Sequence, residues 1–194
     1  IILLNQIHSN RVFFINKISK KKLFGDGLIT NIKNSAIGIL TADCAPVLFF
    51  DPKKNIIGAA HAGWRGAVSG VLEATVAMMI DKGATCKHIE AVIGPAIQQK
   101  NYEVGEDLRS LVLDTQPDAE VLFFARGKEK HLFDLPGFVE MLLRAAGIHR
   151  VHNLNIDTYG ESSGLFSHRQ AVHAASPDSG RQISVIGILS KADS

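Results

Sequence analysis

The chain reads as an α+β single domain, and three features of the sequence predict that class. Continuous apolar runs with strand character recur at Ala36 to Leu40, Pro46 to Phe50 and Ile56 to Ala60. Helix-period stripes appear between Ala67 and Lys82 and again after Asp134. Strands and helices mix without strict alternation, which favours layered α+β packing over a doubly wound sheet. At 194 residues, with 46% hydrophobic and 21% charged side chains, the chain has the size and composition of one globular domain.

The first element, Arg11 to Ile15, is a β-branched and aromatic run, followed by a lysine-rich turn and the punctuation Gly25-Asp26-Gly27. The unbroken apolar character of Ala36–Leu40 and Pro46–Phe50 predicts strands covered on both faces. Asp51 to Asn55 is a turn, because Pro52 presets φ and its polar neighbours cap the reversal, and Ile56–Ala60 is the next strand. From Ala67 to Lys82 the period changes: Val68, Val71, Leu72, Thr75, Val76, Met79 and Ile80 share a helical face, and Gly83 ends it. His88 to Ile93 returns to strand, and Val104, Leu108, Leu111 and Val112 predict a second helix. The third helix has an Asp134 N-cap, Pro136 in its first turn, an apolar stripe from Leu135 to Ala146, and Gly147 as its stop. Ile183 to Leu189 closes the chain as a strand.

A formal net charge of +2 gives no reason to expect nucleic-acid or membrane binding, and Ser19 to Lys22 reads as a solvated loop. The two cysteines, Cys44 and Cys86, form no disulfide framework, which fits a reducing, cytoplasmic setting. No apolar run approaches a membrane span and no signal-peptide pattern is present. Ile1-Ile2-Leu3-Leu4 resembles an internal strand, so part of the natural N-terminus is expected to be missing.

The chemistry concentrates in two stretches. Cys44 follows one buried strand, and His61 ends another within His61-Ala62-Gly63-Trp64-Arg65-Gly66; His8, in Gln6-Ile7-His8-Ser9-Asn10, is a candidate third partner. A thiolate and two imidazoles suit Zn²⁺, with a fourth position left for water, whose pKa the ion lowers to about 7. Spacing alone favours a plainer reading, a buried free cysteine and two ordinary histidines. The glycine-flanked Trp64-Arg65 segment opens a helix. It can present N–H groups to an anion while Arg65 clamps phosphate, or the glycines can merely permit a tight turn with Trp64 as a core anchor. Arg169 and His168, in Phe166-Ser167-His168-Arg169, are candidates for the same site, as are Tyr102 and Glu103 for its wall. His149 and His152 read as surface residues, and the ten phenylalanines mostly as core.

Several motifs together resemble the YfiH family of laccase-domain proteins, regarded as zinc-dependent purine nucleoside phosphorylases. They include Gln6-Ile7-His8, Asp26 to Thr30, Ala42-Asp43-Cys44-Ala45-Pro46-Val47-Leu48 and Ala60 to Gly66. Ile93 to Ile97, Tyr102 to Gly105, Phe166 to Arg169 and Gly180-Arg181-Gln182 extend the likeness over nearly the whole chain. The resemblance implies a layered α/β/β/α domain with mixed sheets over residues 1–194, zinc on His8, Cys44 and His61, and a homodimer. It also marks three departures: the family's segment before the Gln-x-His piece is absent, Asp157 stands where a cysteine is common before Thr158, and Arg169-Gln170 replaces an Arg-Arg pair.

The implied activities are phosphorolysis of adenosine, inosine and guanosine, cleavage of methylthioadenosine, and deamination of adenosine. Phosphate held by Arg65 and Arg169 would attack the anomeric carbon. In deamination a metal-activated water would attack C6 of adenine, with Asp43 either carrying the proton or only orienting a ligand. The usual His-x-Glu and Pro-Cys-x-x-Cys deaminase signature is missing, so that reaction would be convergent. Three alternatives remain at this level. A copper polyphenol oxidase fits the family's older name, although eight histidines without a His-x-His pair are poor material for several copper clusters. A Cys44–His hydrolase and a purely structural zinc pin are the others.

Overall fold

The computed structural model describes residues 1–19, 22–160 and 163–190. Lys20 and Lys21, half of the lysine-rich turn read as a solvated loop, lie outside them. The central element is a six-stranded mixed sheet in the order β1-β2-β5-β4-β6-β10. Its strands are β1 (Val12–Ile15), β2 (Gly27–Thr30), β4 (Ala45–Asp51), β5 (Ile56–Ala62), β6 (Glu90–Ile93) and β10 (Arg150–Asn153). The β1–β2 and β6–β10 pairs are parallel; β2–β5, β5–β4 and β4–β6 are antiparallel.

Helices α2 (Val71–Asp81) and α4 (Leu135–Ala145) cover one face. Leu72, Val76 and Met79 of α2 and Phe138, Val139, Leu142 and Leu143 of α4 join Val47, Phe49 and Ala91 of the sheet in one core. The opposite face meets a two-stranded antiparallel sheet, β3 (Ser35–Thr41) with β11 (Gln182–Ile188), across a second core of Leu28, Ile37, Ile39, Ile57 and Ile188. This double coverage is why β4 and β5 read as unbroken apolar runs. A three-stranded antiparallel sheet orders β7 (Glu103–Gly105), β9 (Lys130–Phe133) and β8 (Phe123–Ala125), beside α3 (Glu106–Thr115). The α+β class is as the sequence predicts, and the mixed sheets are as the family resemblance implies.

Two helix boundaries differ from expectation, and several short strands gave no signal. The helix predicted over 67–82 is two, α1 (Trp64–Val68) and α2, because Gly70 takes φ +89° and Ser69 turns its hydroxyl back onto the Arg65 carbonyl at 2.6 Å. Val104 belongs to β7, where it pairs with His131, and α3 starts two residues later with Gly105 as N-cap; Val104 and Leu108 merely share helical spacing by coincidence. Strand β2, wholly buried, and the short strands β7, β8, β9 and β10 carry too few residues for a period to show. By contrast α4 follows its signals closely: the Asp134 carboxylate accepts the Gly137 N–H at 2.9 Å, one turn into the helix.

Candidate metal centre

Register brings the two apolar stretches together. Strands β4 and β5 pair with Ala45 opposite Ala62 and Pro46 opposite His61, so Cys44, just before β4, sits at the same sheet edge as the end of β5. Asp43 takes a left-handed φ of +78°, which turns the chain from β3 into β4 at this edge. Its carboxylate accepts the Thr158 hydroxyl and the Arg169 backbone N–H, each at 2.6 Å, and its carbonyl accepts the Ile97 N–H at 3.0 Å.

The third segment arrives through one buried carboxylate. Asp26 is fully buried, immediately before β2, and accepts the backbone N–H groups of Ile7, His8 and Ser9, the last at 2.6 Å, as well as the Ser9 hydroxyl at 2.8 Å. His8 is held there at φ +58°. The same carboxylate lies 2.9 Å from His61 Nδ1, while the Asp26 carbonyl accepts the His61 backbone N–H at 2.7 Å. An ionised carboxylate only accepts, so Nδ1 carries the proton and Nε2 of His61 faces outward. One side chain therefore fixes two histidines that lie far apart in sequence.

His8, Cys44 and His61 each offer a donor atom, and these atoms all lie within 4.8 Å of one another. Cys44 Sγ is 3.9 Å from His8 Nε2, and the two imidazole rings meet edge-on at 4.7 Å. Sulfur and nitrogen on a tetrahedral zinc ion stand about 3.6 Å apart, so the observed separation fits with a small closure. Gly63 makes room for this grouping: a Cβ there would lie 2.7 Å from Cys44 Sγ and 3.2 Å from the His8 ring. Its φ of −71° is open to any residue, so close approach rather than turn geometry requires this glycine.

The charges support one another. Burial opposes charge on His61, but the Asp26 carboxylate and the Cys44 sulfur outweigh it and raise the imidazole to about 9. Burial likewise opposes the Cys44 thiolate, and His61 and His8 outweigh it, lowering the thiol to about 7. Burial also disfavours ionised Asp26, yet His61, Ser9 and the His8 N–H hold it well below the usual carboxylate range. A thiolate, an outward imidazole nitrogen backed by a carboxylate, and a second imidazole form a group that could hold a metal ion.

The three donors sit on the wall of a cavity of about 690 Å³ that Asp43, Arg65, Tyr102, His168 and Arg169 also line, with Thr41, Ser179 and Arg181. Every candidate from the sequence thus reaches one site, except that Glu103 contributes only its carbonyl, which accepts Arg169 Nη1 at 2.8 Å. The Arg65 guanidinium lies 4.4 Å over the Trp64 ring, so Trp64 serves both core and site. Asp157, at the position of the family's common cysteine, accepts from Gln98, Asn101 and Tyr159 and ties their loops together. Gln170 accepts the Gly160 N–H at 2.9 Å, bracing the loop before α5 (His168–His173).

The family model described as multi-copper polyphenol oxidoreductase laccase matches residues 1–189. The chain belongs to this laccase-domain family. A purine nucleoside phosphorylase of Rickettsia prowazekii is 38% identical over 97% of this chain and 78% of its own length. The purine nucleoside phosphorylase YfiH of Shigella flexneri is 32% identical over 86% of the chain and 67% of its own length. In three dimensions a Neisseria meningitidis protein superposes with a TM-score of 0.87 at 33% identity, covering 97% of this chain and 74% of its own. These laccase-domain relatives place the YfiH-like fold of this chain beyond its motifs. No helix among the described residues is long and apolar enough to cross a membrane.

The residue that sequence reasoning missed is Asp26. It stood in a matched motif as turn punctuation, and the available signal was a carboxylate placed directly before a run with no other polar residue until Thr30.

Proposed function

We propose that this chain is a zinc-dependent purine nucleoside phosphorylase acting on adenosine, inosine, guanosine and methylthioadenosine, with adenosine deamination at the same site. The observation that carries the reading is a His8–Cys44–His61 donor group on the wall of an arginine-lined cavity. The names of the relatives support the substrate class. Soft sulfur with two imidazoles suits zinc, which when bound supplies Lewis-acid chemistry at neutral pH. Among the described residues the metal-competent groups form one three-donor cluster, whereas a multicopper oxidase needs several.

In phosphorolysis a phosphate oxygen bonds to C1′ of the ribose as the C1′–N9 bond breaks. The bond's electron pair leaves with the purine, which takes up a proton, and ribose 1-phosphate is the other product. The cationic wall, Arg65 foremost, holds the phosphate dianion, and His168 lies at the exposed side of the same cavity. Asp43 acts by orientation: its carboxylate accepts from the Thr158 hydroxyl and the Arg169 backbone N–H, which holds the turn that carries Cys44.

The test is phosphate-dependent hypoxanthine release from inosine by wild type and Cys44→Ala, each with its metal content measured. Loss of metal together with at least a hundredfold drop in release is expected for the variant. Undiminished release would end the proposal, and activity that survives chelation in the wild type would favour a Cys44 hydrolase.

A further inference from the structure

The family resemblance implies Arg65 and Arg169 for the phosphate, but in the structure one arm of the Arg169 guanidinium is already committed. Its Nη1 donates to the Glu103 carbonyl at 2.8 Å, its guanidinium lies 5.3 Å over the Tyr102 ring, and its backbone N–H is bound to Asp43. Arg181 lines the same cavity, is exposed, and has no ion-pair or hydrogen-bond partner among the described residues.

The backbone around Arg181 is nevertheless fixed. Gly180 takes φ +62°, and a Cβ there would lie 2.6 Å from the Phe166 ring, so the ring rests directly on this turn. On the other side, Gln182 Oε1 accepts the Phe166 N–H at 2.9 Å. With its backbone held and no partner of its own, this guanidinium is available to an anion, and only the side chain has to be ordered on binding.

The adjoining wall has matching chemistry. Thr41, the register partner of Gln182, is 2% exposed and lines the cavity, and its Oγ1 has no partner among the described residues. A guanidinium only donates and a hydroxyl can donate, which suits a ligand rich in acceptor oxygens. Phosphate oxygens meet that description; a purine edge, with donors and acceptors mixed, does so poorly.

We propose that Arg181 is a phosphate-binding residue of this cavity, holding the phosphate co-substrate together with Arg65, and that Arg169 is a positioning residue that braces Tyr102 and the Asp43 turn. The inference rests on the phosphorylase reading for the identity of its anion.

The experiment uses the full, metal-loaded chain as wild type, Arg181→Gln, Arg181→Lys and Arg169→Gln, with separate KM values for phosphate and inosine. Calorimetric titration with inorganic phosphate runs in parallel. Arg181→Gln should raise the phosphate KM by about tenfold or more, leave the inosine KM within about twofold, and keep wild-type metal content. Arg181→Lys should recover part of the phosphate affinity, and Arg169→Gln should lower kcat more than it raises the phosphate KM. An unchanged phosphate KM in Arg181→Gln, or a rise confined to inosine, overturns the assignment. If wild type turns over no inosine, the phosphorylase reading falls while the titration still judges Arg181. Weaker phosphate binding by the variant then upholds the anion site; equal binding, or none by wild type, ends it.

Discussion

At the scale of single residues, Asp26 decides the geometry of the site. Its carboxylate receives three consecutive backbone N–H groups around His8 and the Nδ1–H of His61, so it sets a backbone turn and a ring tautomer at once. Carboxylates behind metal-ligating histidines typically tune affinity by 10–100-fold. Asp26→Asn should therefore weaken zinc binding by about 10-fold or more in a competitive chelator titration. The amide cannot accept from all of these donors, and the His61 ring loses its orienting charge. Equal zinc affinity in the variant would show that backbone contacts alone hold the histidines in place. Gly63 illustrates the opposite kind of residue, contributing by having no side chain where sulfur and imidazole must come close.

At the scale of elements, α4 matters to the site although it contributes only Leu135 to the cavity wall. Its apolar stripe packs with α2 against the sheet that carries Cys44 and His61 at one edge. Phe138 is fully buried there and lies tilted against Phe133 of β9 at 5.6 Å between ring centroids. Phe138→Ala should cost about 3–5 kcal/mol in a denaturant melt, since a close-packed interior refills such a hole only in part. A loss below about 1 kcal/mol would mean that the α4–sheet interface is looser than its burial implies. The capping of α4 was open to view in Asp134, Pro136 and Gly147, because local backbone chemistry suffices to write it. The break between α1 and α2 was written in Ser69-Gly70 too, but an uninterrupted count of apolar positions passed over it.

At the scale of the whole molecule, site and stability are linked through protons. His61 has its pKa raised from 6.5 to about 9, so its contribution is complete below 6.5 and is lost as pH rises through about 9. Cys44 has its pKa lowered from 9.0 to about 7, so its contribution is complete above 9.0 and is lost as pH falls through about 7. The thiolate–imidazolium pair of the metal-free chain is accordingly best populated between about 7 and about 9. Zinc takes a thiolate but requires neutral imidazole. Near pH 8, uptake of one zinc ion should release about one proton, displaced from His61, and nearer two below pH 7. Calorimetry in two buffers of different ionisation enthalpy reads that number directly. No proton release at pH 8 would contradict the pairing of these groups.

The sequence by itself determined the α+β class, the apolar strands β4 and β5, the capped helix α4 and the types of donor a metal would want, because periodicity, capping and ligand chemistry are local properties. It also supplied the motifs by which the family is recognised. Only the tertiary structure decided that β4 and β5 pair in the register that sets Cys44 beside His61, and that Asp26 reaches both histidines. It also showed that Arg169 donates to the Glu103 carbonyl while Arg181 lines the cavity with no partner among the described residues. Those outcomes depend on strand pairing and burial between segments distant in sequence, and no periodicity within a single segment encodes them.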